Sequence, residues 1–307
     1  MPEPVAKPVR VILNATAGSN ASTADWLQDM ERKFRECGMN ARIEHADSGE
    51  RIAAAAAQAV KQGDACVVAG GGDGTVSAVA SCLAGTAVPL GVLPLGTLNH
   101  FAKDLGIPLE LDAAITTIAE GRARVVDVGE VNGRLFVNNS SLGLYPDIVL
   151  DRERQRQRLG RGKWRALLAA CVHVGRRYPL LSLHIELAGK SYDRRSAFVF
   201  IGNNEYAMEG FNIGERACLW AGQLSLYVTQ RTGRFGLLLL ALRAVAGRLR
   251  QARDFDMVTA RSLVVRTPHK RIRVATDGEV SLMETPLEYH IRPGALRVMV
   301  PQAAQAK

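Results

Sequence analysis

The chain has 307 residues, 47% of them hydrophobic, and carries a formal net charge of +9 at pH 7. That length and apolar content suffice for two domains or one large one and exclude a disordered chain. The cysteines, Cys37, Cys66, Cys82, Cys171 and Cys218, form no Cys-x-x-Cys pair and read as thiols of a reducing compartment, not as zinc ligands or disulfides. The first residues show no charged-then-apolar signal pattern. The most apolar run, 237–242, is far shorter than the ~20 residues that span a bilayer. The expectation is a cytoplasmic protein.

Residues 9–13 read as a strand. Ser22 then offers a cap to a helix that places Trp26, Met30, Phe34 and Cys37 on one face and stops at Gly38. A second strand at 41–46, an alanine-rich helix at 50–62 closed by Gly63, and a third strand at 64–69 follow. Beyond a glycine run come a helix at 77–83, a strand at 88–93 and a helix at 109–120. Strands alternating with helices predict a mostly parallel sheet with helices on both faces, a Rossmann-like α/β domain.

The run Ala69-Gly70-Gly71-Gly72-Asp73-Gly74-Thr75 lies between the third strand and its helix. Bare backbone N–H groups can converge there on an anion, and the helix N-terminus adds partial positive charge. The run lacks the Lys-Ser/Thr of a P-loop and the spacing of Gly-x-Gly-x-x-Gly. Glycines after a strand are most often only a tight turn, so a phosphate cradle needs a second element. Pro94-Leu95-Gly96-Thr97-Leu98-Asn99-His100-Phe101-Ala102 supplies it, being again a strand end, a turn and a helix start. In a parallel sheet such turns gather at the carboxyl ends of the strands. Asp73 would repel a phosphate unless a divalent metal or a transferring proton lies between them, so the two turns point to metal–nucleotide chemistry.

After residue 120 the pattern changes. Residues 125–131 and 134–139 flank Asn132-Gly133, the strongest short hairpin signal, and short strands recur at 181–187, 197–202, 224–229, 262–266, 272–275 and 287–292. This predicts a nucleotide-binding domain at 1–127 and a mainly antiparallel β domain at 128–307. Two basic stretches of helical spacing interrupt the second domain. Arg154, Arg158, Arg161 and Arg165 share one side of 151–165, and Arg243, Arg248, Arg250 and Arg253 follow the apolar run 237–242. Taken by themselves these are solvated faces; in an enzyme with a membrane-buried substrate they dock to an anionic bilayer. Nucleic acid is not an expected partner, because no helix-turn-helix, RNA-recognition aromatic set or zinc module is present.

Gly71-Gly72-Asp73-Gly74-Thr75, then Leu95-Gly96-Thr97-x-Asn99-x-Phe101-Ala102, then Asp277-Gly278-Glu279 resemble, in that order, the catalytic domain of the diacylglycerol kinase superfamily, which includes sphingosine, ceramide and bacterial soluble lipid kinases. Asn14-x-x-x-Gly18 is similar to the family's first nucleotide loop, with Ala15 where proline is usual. The resemblance implies a fold of the NAD kinase and diacylglycerol kinase type: α/β plus β, a nucleotide domain followed by a β-sandwich-like lipid domain, with 296–300 returning to the first domain. It implies ATP and Mg²⁺ as cofactors, with Asn14, Thr16, Gly18, Gly71, Gly72, Gly74, Thr75, Thr97 and Asn99 around the nucleotide and Asp73 at the catalytic metal. It implies a lipid hydroxyl as acceptor, with Glu279 as its proton acceptor and Asp277 orienting or contacting metal. Peripheral membrane association follows, and a homodimer is left open.

The chain also departs from the family. His100 stands where aspartate is usual, Leu98 where a small residue is common, and Met208-Glu209-Gly210 where a glycine pair is often found. The segment 217–224, around Ala221, lacks the acidic ligands of the family's structural magnesium site, so that metal is not expected. Two alternatives therefore stand beside the lipid kinase: an NAD kinase-like phosphotransferase, which shares Gly-Gly-Asp-Gly-Thr, and a catalytically weak nucleotide- or lipid-binding sensor.

Overall fold

The structure, a computed structural model, describes residues 8–15, 24–143, 180–187, 189–207, 216, 218–229 and 255–302. The helix cap Ser22, both basic stretches, Cys171 and Met208-Glu209-Gly210 lie outside the described residues. The chain divides into two compact units, one of Met1–Val128, Cys218–Ala221 and Arg292–Lys307 and one of Gly129–Ala217 and Gly222–Ile291.

The first unit runs β1 (Val9–Asn14), α1 (Ala24–Glu36), β2 (Ala41–Ala46), α2 (Gly49–Gln62), β3 (Cys66–Gly71), α3 (Asp73–Leu83), β4 (Leu90–Pro94), α4 (His100–Asp104) and α5 (Leu111–Glu120). Its strands are parallel, in the order β2-β1-β3-β4. β3 and β4 are buried along their whole length, as strands covered on both faces must be. Met30 and Phe34 are fully buried with Val11, Leu13, Val68 and Ile115, and Trp26 and Cys37 pack at the margin, so the apolar face read from the sequence is the one that meets the sheet. Cys66 lies within β3, where burial pushes its thiol up to about 12. No disulfide joins the described cysteines.

α2 illustrates how local signals fix an element. The Ser48 hydroxyl accepts the Arg51 N–H at 3.4 Å, and Gly63 closes the helix at φ 70° while its N–H donates to the Val60 carbonyl at 3.1 Å. A side chain at that left-handed position is strained, so Gly63→Ala is expected to cost about 1 kcal/mol. Urea unfolding checks this, and an unchanged midpoint would contradict it.

β5 (Arg122–Val131) leads into the second unit, which continues with β6 (Arg134–Phe136), β7 (Asn139–Gly143), β8 (Leu181–Leu187), β9 (Lys190–Ser196), β10 (Phe198–Asn203), β11 (Leu224–Thr229), β12 (Phe255–Ala260), β13 (Ser262–Arg266), β14 (Arg271–Thr276), β15 (Glu279–Glu284) and β16 (Leu287–Val300). Asn132 and Gly133, at φ 46° and 82°, turn β5 into β6. One antiparallel sheet has the order β12-β11-β10-β7-β14-β15. A second is formed by β9, β8, β13 and the start of β16. Leu142, Val199, Ile201 and Val274 from the first meet Leu183, Ile185, Val265 and Tyr289 from the second in one core, which makes the unit a sandwich. Further along β16, within the first unit, Val298 lies parallel to Leu90 of β4.

The structure departs from the sequence reading in local ways. β9, with the sequence KSYDRRS, was not anticipated because its residues are mostly charged; its pairing with β8 in register along the whole strand defines it. β12 (FDMVTA) and β15 (EVSLME) are further strands that the sequence reading does not give, and antiparallel pairing with β11 and β14 defines them. Of the expected strand 134–139, residues 134–136 form β6 and residues 137–138 leave the ladder, and β7, which starts at residue 139, is a further strand that the sequence reading does not give. No helix among the described residues is long and apolar enough to cross a membrane.

Candidate functional site

β3 ends at Gly71, Gly72 is the N-cap of α3, and Asp73 is its first residue, four positions earlier than the sequence suggested. The glycine run thus contains the first turn of the helix. No side chain caps this end. The first intrahelical bond runs from the Val76 N–H to the Gly72 carbonyl at 3.1 Å, so the amides before it have no helical acceptor and carry the positive end of the dipole. Thr75 is buried, and a Cβ on Gly71 would overlap its side chain. The Asn14 Nδ2 donates to Thr75 Oγ1 at 3.1 Å, tying the end of β1 to this turn.

The second turn is built by Asn99. Its backbone is left-handed, at φ 52° and ψ 46°, a region asparagine tolerates better than most residues. Its Oδ1 accepts the Gly96 N–H at 3.1 Å, and its Nδ2 donates to the carbonyls of Pro94 and Gly96 at 3.1 and 2.8 Å. Asn99 is buried, so its side chain serves the turn itself, whereas Thr97, Leu98 and His100 are exposed.

Asp73 joins the two turns. Its Oδ2 accepts the His100 N–H at 3.3 Å and its Oδ1 accepts the Phe101 N–H at 3.2 Å, so the first residue of α3 caps α4. A Cβ on Gly96 would overlap the Gly72 Cα, which means that the turns meet backbone to backbone. Thr16 and Gly18, the remaining expected members of the first loop, lie outside the described residues. Among the described residues no group of three His, Cys, Asp or Glu side chains could hold a metal by itself. In the segment around Ala221, the Leu219 carbonyl accepts the Asp127 N–H at 2.8 Å and the Trp220 ring lies under the Arg124 guanidinium at 4.2 Å.

In the second unit, Asp277 and Gly278 form a two-residue turn between β14 and β15, at φ 49° and 86°. The Asp277 carboxylate reaches well beyond its turn. Oδ2 accepts the Val137 N–H at 2.8 Å, and Oδ1 accepts the Asn138 and Asn139 N–H groups at 2.8 and 3.0 Å. These bonds draw residues 137–138 out of the ladder, the physical reason that β6 and β7 are separate strands. Glu279 begins β15, is exposed, and accepts from the Arg134 Nη2 at 2.7 Å. Sequence reasoning missed Arg134. It lies in another hairpin, and no local pattern marks it as the partner of Glu279.

A parallel α/β unit with a glycine-floored helix N-terminus, in a chain whose other unit is an antiparallel sandwich bearing Asp-Gly-Glu, defines the class: a two-unit α/β plus β-sandwich protein. Two family descriptions match it: "Diacylglycerol kinase catalytic domain" over residues 8–131 and "YegS C-terminal NAD kinase beta sandwich-like domain" over residues 146–300. The chain belongs to the diacylglycerol kinase superfamily. It is 28% identical over 303 residues to a "Probable lipid kinase YegS-like" of Pseudomonas syringae pv. syringae strain B728a, covering 95% of this chain and 92% of that one. A protein of the same description in Pseudomonas aeruginosa is 31% identical over 260 residues, 80% of this chain and 79% of that one. A crystal structure described as a diacylglycerol kinase from Bacillus anthracis str. Sterne matches with a TM-score of 0.70 at 20% identity, over 99% of this chain and 100% of that one, a likeness of fold.

Proposed function

We propose that the protein is an ATP-dependent lipid kinase, transferring the γ-phosphoryl group of Mg-ATP to a hydroxyl of a diacylglycerol-like or sphingoid lipid. The observation that carries this reading is the uncapped N-terminus of α3 in its glycine floor, braced by Asp73 and the Asn99 turn, in a chain of the diacylglycerol kinase superfamily. Phosphate oxygens suit the amides of residues 72–75, because such an end needs an acceptor and no side chain supplies one. Each Asp73 oxygen accepts an N–H bond from the start of α4, and a carboxylate oxygen has room for a second partner. That fits Mg²⁺, which binds through one or two carboxylates plus substrate phosphates and would neutralise charge on the transferring group. Glu279 takes the proton of the acceptor hydroxyl, and Asp277 holds the turn that presents it. The substrate and the net charge of +9 favour work at an anionic membrane surface.

The test is incubation of purified protein with γ-labelled ATP, Mg²⁺, NAD and a total lipid extract. Label is expected in phosphatidic acid or a long-chain-base phosphate. Label confined to NADP would replace this reading with the nicotinamide one, and tight ATP binding without label would leave a sensor.

A further inference from the structure

Arg216 is a cation with 6% of its surface exposed, in the second unit. Its Nη1 donates to the Val137 carbonyl at 2.7 Å and to the Asn203 carbonyl at 3.3 Å, and its Nη2 donates to Asn138 Oδ1 at 2.8 Å. The guanidinium lies 5.1 Å from the centroid of the Tyr206 ring. Tyr206 donates its hydroxyl to the Asn138 carbonyl at 2.9 Å, and Asn203 Nδ2 donates to the Val137 carbonyl at 2.9 Å. The acceptors of residues 137 and 138 are therefore taken from one side by Arg216, Asn203 and Tyr206. The donors of residues 137–139 are taken by Asp277. Burying a guanidinium is costly, and an apolar residue would fill such a space more cheaply if filling it were the only requirement. What the guanidinium adds is a rigid planar fork of five donors that holds several acceptors in one fixed geometry, where an ammonium offers three donors on a freely rotating head.

We infer that Arg216 is a positioning residue for the Asp277-Gly278-Glu279 hairpin: it immobilises the bend at residues 137–139, the bend immobilises the Asp277 carboxylate, and the turn then presents Glu279. The inference rests on the kinase reading for its effect on turnover, but its structural half is independent of that reading.

Both halves can be measured. Amide exchange in Arg216→Lys should accelerate about tenfold or more at residues 137–139 and 277, while β8 and β13 keep wild-type protection, the signature of a local opening. In lipid phosphorylation, Arg216→Ala should lower kcat about thirtyfold or more with less than about a threefold change in KM for ATP, since a small misplacement near the chemistry is felt chiefly in the transition state. Millimolar guanidinium, but not sodium at equal ionic strength, should restore a large part of the lost kcat. Wild-type exchange at the bend in a folded Arg216→Lys protein would overturn the inference whether or not the wild type phosphorylates lipid. Full kcat in either folded variant of an active enzyme would overturn it too. If neither variant folds, Arg216 is a folding residue and the assignment fails. A wild type that yields no lipid phosphate refutes the kinase reading, and the exchange result then decides the positioning claim by itself.

Discussion

Glu279→Gln is expected to lower kcat by about a hundredfold or more while ATP affinity changes little, the pattern of an interaction that matters mainly in the transition state. A lipid hydroxyl is a poor nucleophile at neutral pH, and a positioned proton acceptor contributes typically about 10²–10⁴ in rate. The two carboxylates of the hairpin stand in different situations. Glu279 is exposed and makes one ion pair with Arg134, a contact worth at most about 1 kcal/mol to stability, so its amide variant should unfold almost where the wild type does. Asp277 accepts three backbone N–H bonds. Asp277→Asn places an NH₂ group among donors and should therefore cost stability, by about 2–3 kcal/mol, as well as activity. Steady-state kinetics and urea unfolding on the same two proteins separate these roles. Full turnover in both variants would remove both from the chemistry, and Asp73 would be the next carboxylate to test.

Gly72→Val is expected to raise the Kd for ATP about a hundredfold in a protein that still folds, as the loss of two charge-assisted hydrogen bonds of about 1.5 kcal/mol or more each requires. Gly72 has φ −89° and ψ −175°, an extended conformation open to any residue, and a Cβ there meets only the Gly96 Cα at an ordinary 3.5 Å. The substituent therefore burdens the ligand's approach to the amides more than it burdens the fold. Gly96 behaves in the opposite way. A Cβ on it overlaps the Gly72 backbone, so Gly96→Ala should separate the two turns and lower stability together with affinity. Calorimetry with ATP on folded Gly72→Val protein checks the placement, and an affinity within about threefold of wild type would rule it out.

Much of the first unit was legible in the sequence because its signals are local. Met30 and Phe34 recur at helical spacing, Gly63 ends its helix through its own backbone freedom, and the strands flanking the glycine run are continuous apolar stretches. The glycine run itself was readable because a strand, a turn and a helix follow one another without help from elsewhere in the chain. The start of α3 was not. Asp73 and Gly74 read as loop, yet the Val76 N–H to Gly72 carbonyl bond makes them helical, and the Asp73 carboxylate meets the start of α4, 27 and 28 residues away.

By itself the sequence determined the alternation that makes a parallel α/β unit, the hairpin at Asn132-Gly133, the apolar strands of the sandwich and the motifs that mark the superfamily. Each of these depends on the order of neighbouring residues and on their preference for water or core. Tertiary structure decided what the polar groups do. It made the charged segment β9 a strand by pairing it with β8, paired β12 with β11 and β15 with β14, and ended the strand predicted at 134–139 after Phe136, where the Val137 and Asn138 amides turn to Asp277. It also brought Arg134 to Glu279 across 145 positions and Arg216 to residues 137–138 across 78 or more. A hydrogen bond or ion pair between such distant residues leaves no periodic trace in the chain, because its energy depends on where folding puts two atoms and not on which residues adjoin them.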